Sequence, residues 1–359
     1  MPQTHDAKSH VGASLKGRRV FVTGHTGFVG GWICAALNAL GAEVAGYALP
    51  APEGRALFRD LDLANRMTSI EADIRDTDRI TTEMQAFNPD TLFHLAAQPI
   101  VREAYKNPIE TFDVNVMGTA KVLEAARGCS NLASMIVMTT DKVYRNEEWV
   151  WGYRETDALG GSEPYAASKS ACEQVVDAYY KSYFKPEGIA VAAMRAGNII
   201  GGGDWADARL IPDAVRAFET GAPLVLRNPT AVRPWQHVID VVVAFFLLSD
   251  ALNGNDPTFH GGWNIAPDLE DQKPVGQVAT DFASAWGPDA QVKIEKDDSI
   301  PETSILRLDS TKARSQLGWK PVWSLDTALI ETATWYKHAV SGSNMSDLTD
   351  HTIRSAVAL

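Results

Sequence analysis

A short apolar run, Val20-Phe21-Val22, feeds directly into Thr23-Gly24-His25-Thr26-Gly27-Phe28-Val29-Gly30, and residues 32–40 then carry helical spacing. Glycines at three-residue intervals between a strand and a helix permit a tight turn. They let backbone amides approach a pyrophosphate and set that anion on a helix N-terminus. A glycine triplet alone marks no more than a turn; its place after a strand and before a helix makes it a dinucleotide-binding signature. Gly24, Thr26, Gly27, Phe28, Val29 and Gly30 are therefore candidate cofactor contacts.

Further apolar runs at 44–47, 91–95, 135–139 and 189–194 alternate with helical spacing over 109–126 and 166–184. Strands that alternate with helices imply an α/β fold, a doubly wound Rossmann-type parallel sheet covered on both faces. A chain of 359 residues suits a two-lobed enzyme. Residues 1–16 read as a flexible tail and 17–200 as the dinucleotide-binding domain. Residues 201–340 read mainly as a smaller substrate-binding lobe, with the chain free to interleave between lobes, and 341–359 as a peripheral tail. A net charge of -12 argues against nucleic acid as the partner. No run approaches the ~18 apolar residues of a membrane span, and residues 1–16 lack the apolar core of a signal peptide. The widely spaced Cys34, Cys129 and Cys172 offer neither a disulfide framework nor a metal knuckle and read as buried free thiols. A cytoplasmic setting is expected.

The second strand ends Gly46-Tyr47-Ala48-Leu49-Pro50, without the ribose-binding carboxylate normally found there, so this position leaves NAD and NADP both open. Asp73, with Ile74 beside it, could accept a hydrogen bond from an adenine amine; the alternative is an exposed loop carboxylate. His25 reads as a loop side chain near the pyrophosphate rather than a metal ligand, its bulk tending to loosen cofactor binding. No His-x-x-x-His pair offers a metal site.

The run at 135–139 closes on Thr140-Asp141-Lys142, at a strand C-terminus where open parallel sheets place ligands. Of nine tyrosines only Tyr165 has a lysine four residues on, Lys169, and that spacing puts both on one helical face. Pro164 suits the first turn of that helix. A nearby ammonium and an oxidised nicotinamide would both favour a phenolate, letting Tyr165 take a hydroxyl proton while hydride leaves the same carbon. An isolated Tyr-x-x-x-Lys is more often a surface aromatic and a solvated lysine; Thr140 and the glycine loop change that balance.

The glycine loop, Phe93-His94-Leu95-Ala96-Ala97, Asn115-Val116-Met117-Gly118-Thr119, Thr140 and Tyr165-Ala166-Ala167-Ser168-Lys169 together resemble the extended short-chain dehydrogenase/reductase superfamily over residues 17–336. That resemblance adds Leu95, Ala96 and Ala97 to the candidate cofactor contacts. Nucleotide-sugar 4,6-dehydratases of the superfamily carry Thr-Asp-Glu where this chain has Thr140-Asp141-Lys142. The lysine, with Tyr144, Asn146, Glu148-Trp149 and Trp151-Gly152-Tyr153-Arg154-Glu155, resembles the CDP-glucose 4,6-dehydratase family. Arg195-Ala196-Gly197-Asn198, Gly201-Gly202-Gly203-Asp204-Trp205 and the segments 227–229 and 233–237 agree. The resemblance implies NAD as cofactor and a nucleotide sugar, CDP-glucose favoured, as substrate. It implies that Asp141 protonates the departing C6 hydroxyl. Lys142 stands where the family's C5 base stands. It serves either as that base, which requires a neutral amine, or as a charged stabiliser of the enolate.

Asn198, Arg209 and Arg233 match the family's nucleotide and phosphate contacts, and Arg227 joins them as a further candidate; a guanidinium fork suits a diphosphate. The resemblance also implies a homodimer joined through helices near 107–127 and 164–184. Two rivals are a 4-epimerase, which needs Tyr165 and Thr140 but neither Asp141 nor Lys142, and a non-catalytic nucleotide-sensing protein.

Overall fold

The computed structural model describes residues 11–254, 256–295 and 304–357. The first half runs β1 (Arg19–Thr23), α1 (Phe28–Leu40), β2 (Glu43–Ala48), α2 (Leu57–Asp60), β3 (Thr68–Glu71), α3 (Thr77–Phe87) and β4 (Thr91–His94). Next come α4 (Val101–Lys106), α5 (Pro108–Phe112), a π-helical turn (Asp113–Gly118), α6 (Thr119–Ala126), β5 (Ser134–Met138) and α7 (Pro164–Tyr179). The rest is β6 (Ala190–Ala196), β7 (Asn198–Ile200), α8 (Leu210–Glu219), β8 (Leu224–Leu226), β9 (Trp235–His237), α9 (Val238–Asn253), β10 (Gly261–Ile265), α10 (Val275–Trp286), β11 (Val292–Ile294), α11 (Leu325–Val340) and α12 (Met345–Val357).

Seven strands form one parallel sheet in the order β10-β6-β5-β4-β1-β2-β3. Both faces are covered, and the side chains alternate between them as a pleated strand requires. Val20 and Val22 of β1 join one core with α1 and α9, while Phe21 joins the other with α3, α6 and α7. On β5, Ile136 faces the first core and Met135 and Val137 the second. Burial on both faces is why these strands read as continuous apolar runs. The chain leaves β1 for β2 on one side and returns to β4 on the other, opening a crevice at their C-terminal ends.

Between residues 201 and 340 the chain interleaves. β7 pairs with β9 and β8 with β11 in two small parallel sheets beside α8 and α10. α9, buried along most of its length, then runs back under the main sheet, and β10 adds its seventh strand beside β6.

The described parts of both expected tails differ from expectation. Residues 1–10, and 358–359 at the other end, lie outside the described residues. Residues 11–16 are fixed in place: Leu15 is buried, and the Gly12 and Ser14 amides donate to Asp250 at 2.8 and 2.9 Å. The stretch expected as peripheral from 341 holds α12, which buries Met345, Ile353 and Val357 against α1. Trp335 Nε1 donates to Thr349 Oγ1 at 3.0 Å, and Arg66 pairs with Asp350 at 3.0 Å. The cysteines are free and buried as expected, with Cys129 in the turn after α6. Among the described residues no helix is long and apolar enough to cross a membrane, and no cluster is suited to hold a metal ion.

Candidate active site

A cavity of about 830 Å³ occupies the crevice at the C-terminal edge of the sheet. At one end lies the glycine loop. Gly24 has φ 81°, and a Cβ there would meet the Ala96 amide at 2.7 Å; a Cβ on Gly30 would fall on the Gly24 carbonyl. The loop thus lies flat against the start of the segment after β4, and its backbone lines the cavity at the N-terminus of α1. This cradle fits a dinucleotide pyrophosphate. Thr23 holds both sides together: its hydroxyl accepts from the Leu95 and Ala96 amides at 3.1 and 3.2 Å and contacts His94 Nδ1 at 2.6 Å. All the expected cofactor contacts line this cavity: Gly24, Thr26, Gly27, Phe28, Val29, Gly30, Asp73, Ile74, Leu95, Ala96 and Ala97.

At this end Asp73 is already engaged within the protein, and His25 departs from expectation. The Asp73 carboxylate is gripped by the Arg75 fork, with Nη2 at 2.7 Å, which holds it below the usual carboxylate range. His25 turns away from the loop into the core. It is fully buried, contacts Ser69 Oγ at 2.7 Å and packs edge-on against Phe58, in space left by the missing side chain of Gly46. Burial lowers it to about 4, so the ring is neutral.

At the middle of the cavity the end of β5 meets the start of α7. Glu163 caps α7 through both carboxylate oxygens, accepting the Tyr165 and Ala166 amides at 2.8 Å, with Pro164 in the first turn. Tyr165 and Lys169 face the crevice and are buried. Lys169 Nζ donates to the Met138 carbonyl at 2.9 Å, and burial lowers its pKa. Burial pushes the Tyr165 phenol up to about 12, with the Thr140 hydroxyl as the largest opposing influence. The protein without cofactor therefore holds this phenol protonated, and the expected shift toward phenolate depends on the oxidised nicotinamide. Thr140 donates to Asp141 Oδ1 at 2.9 Å; Asp141 Oδ2 is buried without a hydrogen-bond partner. Burial raises the Asp141 pKa, against the smaller opposing influences of Lys142, Thr140 and Arg233. Lys142, half-buried, lines the same wall.

The far end is lined by Asn198, Arg209, Arg227 and Arg233. Arg209 sits at the start of α8 and pairs with buried Asp204 at 2.9 Å; Arg233 is buried and donates to the Val232 carbonyl at 2.8 Å. The structure thus brings every sequence-derived candidate to one cavity. Asn115 lies outside it, in the π-helical turn, where it accepts from the Gln98 amide and donates to Ser168 at 2.8 Å, a structural role. Trp149 and Trp151 also stay outside: Trp149 stacks on Tyr153 and packs at a tilt against Trp151. Sequence reasoning missed Glu163 and named Asp204 only within a motif, without a role in the site. Glu163 directly precedes Pro164, a position from which a helix cap could have been read.

Residues 21–332 match the family described as GDP-mannose 4,6 dehydratase. A CDP-glucose 4,6-dehydratase of Salmonella typhimurium is 42% identical over 335 residues, 92% of this chain and 93% of that protein. Among solved structures, the UDP-glucose 4-epimerase of Thermotoga maritima matches with a TM-score of 0.78 at 22% identity, covering 90% of this chain and 99% of that one. The dTDP-glucose 4,6-dehydratase of Streptomyces venezuelae, solved with NAD bound, matches with a TM-score of 0.75 at 23% identity, covering 90% and 98%. Those two likenesses establish the shared fold. With one family spanning most of its length and a CDP-glucose 4,6-dehydratase 42% identical along nearly all of it, the chain belongs to the nucleotide-sugar 4,6-dehydratases of the extended short-chain dehydrogenase/reductase superfamily.

Proposed function

We propose that the protein is an NAD-dependent CDP-glucose 4,6-dehydratase, which converts CDP-glucose to CDP-4-keto-6-deoxyglucose and water. The observation that carries this reading is a buried carboxyl, Asp141, with a raised pKa and one unpartnered oxygen, in the same cavity as Tyr165, Lys142 and a dinucleotide cradle. Oxidation at C4 alone needs no such acid. Bound NAD supplies a hydride acceptor for C4, a hydride donor for C6, and a positive nicotinamide that favours the Tyr165 phenolate.

In this reading Tyr165, aided by Thr140 and Lys169, accepts the C4 hydroxyl proton as hydride leaves that carbon. The resulting ketone acidifies the C5–H bond, and Lys142 removes that proton. The C6–O bond then breaks, and Asp141 gives its proton to the departing oxygen, which leaves as water. Hydride at C6 and a proton at C5 complete the product, so no external reductant is consumed. Arg209, Arg227 and Arg233, with Asn198, hold the nucleotide diphosphate. Residues 17–200 chiefly hold the cofactor and 201–340 chiefly the nucleotide sugar.

The partner is a second copy of the chain. Tyr105, Ile109, Phe112, Met117 and Tyr183 expose apolar surface on α4, α5 and the π-helical turns at Asp113–Gly118 and Tyr180–Phe184, and this supports a symmetric dimer there. The three unpaired cysteines suit the cytoplasm.

The test is a panel of glucose linked to CDP, dTDP, UDP and GDP, incubated with purified protein and NAD and read by mass spectrometry. Loss of one water from CDP-glucose above all others is expected. A product of unchanged mass would point to an epimerase, and no turnover of any of them to a sensing protein.

A further inference from the structure

Tyr165, Lys169 and Glu173 recur at every fourth position of α7, on one face. The first two face the cavity. Glu173 lies below it, buried, and meets the equally buried Arg195 of β6. Arg195 Nε donates to Glu173 Oε1 at 2.9 Å and Nη2 to Oε2 at 2.5 Å. A buried ion pair contributes little net stability compared with well-packed apolar residues, so its value lies in what it orders.

What it orders is the segment that carries Thr140, Asp141 and Lys142. The Thr139 hydroxyl, directly before that segment, donates to Glu173 Oε1 at 2.7 Å. The Tyr144 hydroxyl, just after it, accepts from Arg195 Nη1 at 2.7 Å and donates to Asn264 Oδ1 at 2.7 Å. One ion pair therefore grips the turn at both ends. One of its members stands on the helix that bears Tyr165 and Lys169; the other stands on β6, which leads into Asn198.

We propose that Glu173 and Arg195 are positioning residues: by holding Thr139 and Tyr144 they set Thr140 and Asp141 against Tyr165 at the separation the reaction needs. A misplacement of about 1 Å can lower a rate on the order of 100-fold, so such a clamp acts on turnover. The inference rests on the function proposed above.

Thr139→Val tests it. The change is close to isosteric and leaves the Glu173–Arg195 pair intact, so folding is preserved where Glu173→Gln would strand a buried guanidinium. The expected result is a fall in kcat of roughly 10- to 100-fold, with KM for CDP-glucose unchanged and activity restored by Thr139→Ser. A crystal structure of the T139V protein should show the Thr140 hydroxyl withdrawn from the Tyr165 phenol. Wild-type kcat in T139V overturns the inference, as does equal loss in T139V and T139S, or an unmoved Thr140. If the wild type fails to dehydrate any nucleotide-linked glucose, the functional reading fails, and the crystal structure still decides the clamp.

Discussion

In the proposed reaction Lys142 is the residue on which the chemistry turns most sharply, since it is assigned the removal of the C5 proton. Lys142→Met keeps the unbranched stem of the side chain and removes its amine. Its kcat should fall by about 10²- to 10⁴-fold, and exchange of the C5 hydrogen with heavy water should vanish with it; undiminished exchange would show that Lys142 only stabilises charge. His25 makes a different prediction. Its ring is held neutral, lowered from 6.5 to about 4 by burial. The unfolded chain therefore takes up a proton first as pH falls, and stability present above about 6.5 is lost on the way down to about 4. Between roughly pH 7.5 and pH 5.5 the wild type should lose about 1.4 kcal/mol more than His25→Asn, measured by urea unfolding of both proteins. The residue types in the cavity were legible because they lie in contiguous motifs with fixed spacing. The direction of His25 was not, because it depends on the gap that Gly46 leaves on the neighbouring strand.

At the level of elements, periodicity located β1, β2, β4, β5, β6, α1 and α7 well, since each buries a regular face against the sheet. It missed what depends on distant partners. β10 is five residues of no marked pattern, Gly261-Gly262-Trp263-Asn264-Ile265, and becomes a strand only because the edge of β6 lies open to it. α12 is polar overall and reads as a tail, yet its one apolar stripe covers α1. Ile353→Ala should therefore cost about 2–5 kcal/mol of stability, whereas Arg354→Ala on the exposed face should change it by less than about 0.5 kcal/mol. Thermal melts of the two variants separate a packed helix from a peripheral one. Comparable, small shifts would mean that α12 contributes nothing to the core.

For the whole molecule, five of the exposed large apolar side chains gather on one face: Tyr105, Ile109, Phe112, Met117 and Tyr183. Ile109 is 83% exposed and Met117 50% exposed, and both belong to the continuous helical run from α5 to α6 that flanks α7. Such a run would be a liability on a monomer. A symmetric partner would bury each of these side chains twice, once on each subunit. Burying an Ile side chain contributes about 1.5–3 kcal/mol, so Ile109→Asp removes about 3–6 kcal/mol from a two-fold interface. That corresponds to a weakening of roughly 100-fold or more in the dimer dissociation constant. Sedimentation velocity across a dilution series should find the wild type dimeric and I109D dissociating at far higher concentration. The cavity is built within one chain; α4 and α5 add Val101, Arg102, Tyr105 and Glu110 to the lining drawn from the main sheet, α7 and the small sheets around α8, but Ile109 does not line it. Monomeric I109D should therefore still bind NAD, and a variant that loses dimerisation and cofactor binding together would place the partner in the site.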